Sequence, residues 1–381
     1  MAPTTTLAAA RPHPPAASQP EPETARPLAT LRFDWAIVAA SAWFLAGLYL
    51  DGWAHNTIPS LESFFTPWHA VLYSGFLVSL GVLGWAIGRN QAAGRTGWNA
   101  IPAGYELSLI GGALFVASGV GDMLWHIAFG IEANVDALLS PTHLLLLLGG
   151  ALFITGPVRA EARRRAAGIV AAARTAQFPR LLAITYLLAA LAFFTQYANV
   201  WGGPWLASGY RPLTTDVLTA GGRAVDTVFL LTALNVAGVL VQSALLAGSS
   251  LVALRAGRPA GSFTLMIGLY AIATVLMRQK FDAGLQVPLA LGGVVAGLVL
   301  DVLYARLRPH LSAPRTLQIF VALVPAVTTA ASILALTAAS GVWWSIHLWA
   351  GAVVLAAATG WLLSLLAAPA PSISTSSQPT A

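Results

Sequence analysis

The chain of 381 residues is 57% apolar and only 9% charged, with a mean hydropathy of +0.73, whereas a soluble domain carries about a quarter charged residues. That balance excludes an ordinary soluble enzyme and a nucleic-acid-binding protein, so the net charge of +6 must be explained by where the basic residues sit. Cysteine is absent, which excludes disulfides, thiolate metal sites, iron–sulfur clusters and cysteine nucleophiles.

Residues 1–31 are rich in Pro, Ala and Thr, lack the apolar core of a signal peptide, and are expected to form a disordered cytoplasmic tail; residues 369–381 have the same character. Between the tails, ten apolar stretches meet the criterion of about 20 residues per span. They cover approximately 35–54, 67–88, 104–128, 141–158, 181–200, 228–254, 262–280, 286–305, 316–338 and 343–367, with the 228–254 stretch long enough to tilt or break. Lipid permits only helices or closed barrels, and continuous apolar runs exclude the alternating barrel pattern. The expected fold is therefore all-α, a polytopic integral membrane bundle of about ten transmembrane helices. It divides into a four-helix region (32–160), a cytoplasmic loop (161–180) and a six-helix region (181–368).

With the N-terminus inside, 16 basic residues fall in inside segments, six of them between Arg159 and Arg180. Only Arg211, Arg223, Arg278 and Lys280 fall outside. The positive-inside rule then makes both termini cytoplasmic in a multi-pass cell-membrane protein, and the basic charge becomes topogenic.

Four histidines in the first four spans form a repeated pattern. The first copy reads Asp51-x3-His55, a loop, then Thr66-Pro67-Trp68-His69; the second reads Asp122-x3-His126, a loop, then Ser140-Pro141-Thr142-His143. Asp and His four apart share a helix face. Thr66 and Ser140 suit the N-cap, and Pro67 and Pro141 the first helical position. Two parallel helical hairpins thus each present one carboxylate and two imidazoles at the outer ends of their spans, near the extracytoplasmic face. An unpaired Asp deep in a span costs about 2.5–3.5 kcal/mol on insertion scales, so Asp51 and Asp122 need partners. Metal binding by Asp51, His55, His69, Asp122, His126 and His143 meets that need. Asp–His pairs that fix helix packing, a proton relay and haem ligation are the competing readings. Imidazole suits copper, zinc and iron alike, and one carboxylate with two imidazoles resembles an open facial triad.

At these residues the sequence resembles the C subunit of the copper membrane monooxygenases, the particulate methane and ammonia monooxygenases. The match lies in Asp51, His55 and Phe65-Thr66-Pro67-Trp68-His69, with a loop one residue longer than the family's, and in Trp125-His126. A second family site with Asn in the Asp position corresponds to Asp122, His126 and His143. The resemblance covers about residues 35–158. It implies a copper cofactor at Asp51, His55 and His69, oxidation of a small apolar substrate or ammonia with dioxygen, and separate partner subunits or a homo-oligomer. The chain departs from the family in its ten spans and in lacking a soluble cupredoxin-like region. A metal-binding scaffold, metal sensor or transporter is the alternative function, although polar residues at mid-span are few (Ser118, Asn235, Gln242).

Among the remaining polar residues, His347 after Trp343-Trp344 is a candidate additional ligand or a packed belt histidine. Asp226 and Asp282 are expected to pair locally with Arg223, Arg278 and Lys280, and Asp301 to form an inner cluster with Arg306 and Arg308. Glu62, Glu132 and Asp136 lie in the outer loops, either gathering cations or simply solvated. Trp68 and Trp125 adjoin ligands and are placed to shield them from water.

Overall fold

The computed structural model describes residues 26–58, 65–130, 132, 135–169, 174–211, 217–220, 223–278 and 283–367. The expected tails up to residue 25 and from 368 onward, together with Glu62, Lys280, Asp282 and the side chain of Arg223, lie outside that description.

The helices are α1 (Leu31–Thr57), α2 (Pro67–Ala92), α3 (Glu106–Phe129), α4 (Asp136–Leu139), α5 (Pro141–Ile154), α6 (Gly156–Ala166), α7 (Phe178–Phe194), α8 (Thr227–Leu254), α9 (Ser262–Met277), α10 (Ala283–Leu307), α11 (Pro314–Ser340) and α12 (Ile346–Ala367). Among the described residues, nine helical stretches are long and apolar enough to cross a bilayer, α5 and α6 counting as one. The 16-residue α9 is a shorter apolar helix. The protein is a polytopic helical membrane bundle.

Three boundaries differ from expectation, and α8 settles the choice left open for its stretch. The expected tail is ordered from residue 26, because Arg26 pairs with Glu106, Leu28 bridges to Ala103 and Arg164 donates to the Ala29 carbonyl at 2.7 Å. The chain continues helically through α6 into the expected cytoplasmic loop, after a break at Thr155 whose hydroxyl turns back to the Ala151 carbonyl. The segment before α8 carries a two-stranded antiparallel ribbon, β1 (Val217–Ala220) with β2 (Arg223–Asp226). Finally, α8 runs unbroken over its 28 residues.

Two hydrophobic cores share α7. Ile184, Leu188 and Ala192 face the core of α8–α12, while Tyr186, Ala189, Ala190, Phe193 and Phe194 face the core of α1, α2, α3 and α5. The expected four-helix and six-helix regions therefore meet along one helix that is apolar all round, as a fully surrounded helix must be.

The repeat extends below the histidines. Seven residues before each Asp stands a phenylalanine, Phe44 or Phe115, and six residues after each second-helix histidine stands a glycine, Gly75 or Gly149. A Cβ on Gly75 would lie 2.6 Å from the backbone nitrogen of Phe44, and one on Gly149 would lie 2.8 Å from that of Phe115. Within lipid, helix association depends on such close backbone approach at small residues. Each hairpin is locked at the same level by the same Gly-on-Phe contact. The two hairpins then meet through those phenylalanines, with ring centroids 5.2 Å apart, and Phe115 stacks on Phe76 at 3.9 Å.

At the opposite end of the bundle from the histidines, buried Asp34 accepts hydrogen bonds from Tyr105 (2.6 Å) and Arg164 (2.5 Å). Those bonds satisfy a carboxylate that would otherwise carry the full desolvation cost. They also tie α1 to α6 and to the turn before α3.

Candidate metal centre

Thr66 accepts a hydrogen bond from the His69 backbone nitrogen at 3.1 Å, so it caps α2 and fixes His69 in the first turn. The α1–α2 packing carries His69 towards the last turns of α1. There Oδ1 of Asp51 lies 3.4 Å from His69 Nε2, and Oδ2 lies 3.8 Å from His55 Nε2. In the second hairpin, Asp122 Oδ2 lies 3.4 Å from His126 Nε2 and Oδ1 lies 3.5 Å from His143 Nε2. Each set offers one carboxylate oxygen and two ring nitrogens, all within 4.8 Å of one another. The two histidine rings are 6.0 Å apart in the first set and 5.7 Å in the second. All six expected ligands are thus brought together as two triads, Asp51–His55–His69 and Asp122–His126–His143. Both triads line a single cavity of about 980 Å3.

The donor chemistry fits a metal ion. A metal-bound imidazole is normally held by a hydrogen bond at its other nitrogen, which fixes the ring's orientation. His126 meets that description through the Gly130 carbonyl, 3.4 Å from Nδ1, while Nε2 faces Asp122; Glu132 Oε2 also stands 3.0 Å from Nδ1. His143 does too, with Nδ1 2.5 Å from the Ser140 hydroxyl and Nε2 facing Asp122. In the first triad, Asp51 Oδ1 is buried and accepts no hydrogen bond among the described residues. A buried carboxylate oxygen in that state is stabilised by a cation placed between it and the facing Nε2 atoms.

The two centres are not equivalent. Thr142 donates to Asp122 Oδ1 at 2.7 Å. The matching position in the first hairpin is Trp68, whose ring meets Trp53 edge-on at 5.7 Å. His55 is the most exposed member of its triad, at 31% of its side chain, against 12% for Asp51 and His69. The first centre is therefore the more open to solvent at His55, and the second is the more firmly braced.

Among the described residues, the other polar side chains singled out in the sequence find the following partners. Ser140 does not cap α5 with its side chain, because that hydroxyl faces His143. Glu132 is not solvated but largely buried, with Oε2 3.0 Å from His126 Nδ1. Asp226 caps α8 through the backbone nitrogens of Val228 and Phe229. Asp301 caps α9 through Phe263 and Thr264 and pairs with Arg258 at 3.2 Å, not with Arg306 or Arg308. Arg278 hydrogen-bonds to Asn56 on α1. His347 belongs to neither triad and lies exposed on α12. Trp125 packs against Phe129 at 4.6 Å.

Sequence reasoning missed Ser140 and Thr142 as supports of the second triad. The [Thr/Ser]-Pro-x-His pattern was visible, but the direction of each hydroxyl depends on where the Asp of the neighbouring helix stands. Compared with protein-family models, curated proteins and solved structures, the chain matches none. What fold and site define together is a polytopic helical membrane protein with two Asp–His–His triads suited to metal.

Proposed function

We propose that this protein is an integral membrane copper protein akin to the C subunit of the copper membrane monooxygenases, with one ion at each triad and an apolar substrate or ammonia oxidised by dioxygen in the shared cavity. The observation that carries the reading is the convergence of each carboxylate with two Nε2 atoms inside 4.8 Å, achieved twice on one cavity. The Phe65-Thr66-Pro67-Trp68-His69 resemblance and the affinity order, which peaks at copper, favour that metal over iron and zinc. The distribution of arginines supports cytoplasmic termini and triads near the extracytoplasmic face.

When bound, copper supplies the redox chemistry that activates dioxygen. The chain's own groups do the rest. Asp51, His55 and His69 would hold one ion and Asp122, His126 and His143 the other, the carboxylates offsetting its charge. Glu132 and Ser140 hold two rings in register, and Trp53 with Trp68 limits water on one flank. With three protein ligands, an ion at either triad would have room for a reactant. The test is oxygen uptake by copper-loaded protein with candidate hydrocarbons or ammonia, lost in His69→Ala while the helical spectrum is retained. Copper-loaded protein that consumes no oxygen with any of them contradicts the catalytic reading.

One observation favours a second role for the second triad. Its full bracing by Thr142, Ser140 and Glu132 suits an ion kept in place to stabilise the hairpin pair. Transport is less well supported, because below the triads the described cavity wall is mostly apolar (Phe44, Phe115, Leu146, Ile154), with Tyr73 close beneath His69.

A further inference from the structure

The cavity is far larger than a metal centre needs. At about 980 Å3 it stands at the top of the range of about 300–1,000 Å3 typical of pockets for drug-sized ligands. Its lining runs from His143 down α5 to Ile154, eleven residues or roughly 16 Å at the helical rise per residue. The walls of this shaft are Phe44, Phe115, Leu146, Gly150, Ile154 and Ala190. Gly150 occupies the repeat position that Phe76 holds in the other hairpin, and only Gly150 lines the cavity. Where the other hairpin has a phenylalanine ring, this one has only a glycine, whose added Cβ would lie 3.3 Å from the Phe44 ring, so Phe44 itself walls the shaft there.

At the same end as the triads, the cavity wall carries a cation. Arg278 hydrogen-bonds to Asn56 Oδ1, a neutral partner, and Asn56 is anchored by the Gly52 carbonyl at 2.7 Å and by Gln196 Oε1 at 3.4 Å. Among the described residues, Arg278 makes no ion pair. A half-buried guanidinium facing a cavity is stabilised by an anionic group that brings its own charge. The three acidic residues on the same wall, Asp51, Asp122 and Glu132, each stand within 3.4 Å of a histidine ring nitrogen.

We infer that the cavity binds a single-chain amphiphile with a carboxylate head, the head on Arg278 and Asn56 and the alkyl chain laid down the apolar shaft past the triads. As a substrate assignment this deepens the proposed function and rests on it; as a binding site it stands on the cavity and Arg278 alone. The chain is buried for the same reason any alkyl group is, and affinity rises with each methylene that finds wall.

The test uses full-length protein in phosphatidylcholine nanodiscs, prepared metal-free, zinc-loaded and copper-loaded, with equilibrium binding of radiolabelled laurate, octanoate and dodecanol. Laurate is expected to bind more tightly than dodecanol by about tenfold, the scale of one hydrogen bond to a charged group. Arg278→Gln removes that preference and leaves dodecanol unchanged. Ala151→Leu, which narrows the shaft, weakens laurate more than octanoate. Repulsion from the triad carboxylates affects wild type and Arg278→Gln alike, so their ratio reads Arg278 in every metal state. An unchanged laurate-to-dodecanol ratio in Arg278→Gln overturns the head-group assignment, and equal weakening of laurate and octanoate by Ala151→Leu overturns the shaft. Displacement of laurate when phosphatidylglycerol is added to the discs assigns the site to a membrane lipid and overturns the single-chain occupant. Failure of copper to bind while these ratios hold would overturn the proposed function and leave the amphiphile site standing.

Discussion

Thr142 donates a 2.7 Å hydrogen bond to Oδ1 of Asp122, and the equivalent position beside Asp51 is filled by Trp68, which has no hydroxyl to give. The two triads therefore share ligands but not support. Loss of a group that orients metal ligands typically lowers metal affinity by about 10–100-fold. Thr142→Val is expected to weaken one class of site by that factor and leave the other unchanged, as read by competition titration with a chromophoric chelator. Equal weakening of both classes would mean that the triads are not separate sites.

The paired Gly-on-Phe contacts predict a selective response to added methyl groups. Gly75→Ala and Gly149→Ala push a Cβ against the backbone of Phe44 and Phe115, and overpacking of this kind costs about 1–3 kcal/mol. Gly84→Ala on the same α2 helix meets nothing within 4 Å and should be neutral or stabilising by up to about 1 kcal/mol. Thermal melts in one detergent compare the three. A Gly75→Ala melt no lower than that of Gly84→Ala would refute the close packing.

Two aspartates cap helices, and their settings differ. Asp226 is an exposed local cap on α8, whereas Asp301 reaches from α10 to cap α9 and also pairs with Arg258. Removing a cap costs about 0.5–2 kcal/mol, and leaving a buried charge without its partner costs more. Asp301→Ala should therefore lower the melting temperature more than Asp226→Ala. Restoring charge balance with Asp301→Ala/Arg258→Met should recover part of the loss.

Metal that binds only the folded form stabilises it, by about 2.7 kcal/mol at a hundredfold excess over the dissociation constant. Copper addition is expected to raise the melting temperature of wild type and to leave a variant with all six triad residues changed to Ala unmoved. A chelator should reverse the rise.

Much of this molecule is legible from its sequence, because lipid restricts the choice. The apolar runs identify the spans, and the Asp-x3-His and Pro-x-His spacings identify both triads, since a helix face and a helix start are local geometry. What escaped was set by partners distant along the chain. Asp301 finds Thr264 and Arg278 finds Asn56 only after the helices pack. For Asp301, local pairing rules pointed instead to Arg306 and Arg308. The deeper repeat, Phe44 with Gly75 and Phe115 with Gly149, was within reach of the sequence, and aligning the two hairpins beyond their histidines would have exposed it. The hydroxyls of Ser140 and Thr142 were not, because one residue type serves equally as helix cap and as ligand support.

The account depends most on the triads holding ions. The decisive measurement is metal content per chain of purified, copper-equilibrated protein in wild type, His69→Ala, His143→Ala and the six-residue alanine variant. The predicted result is two copper ions in wild type, one in each single variant and none in the last, with every variant folded by circular dichroism. Equal copper in wild type and the six-residue variant would contradict it.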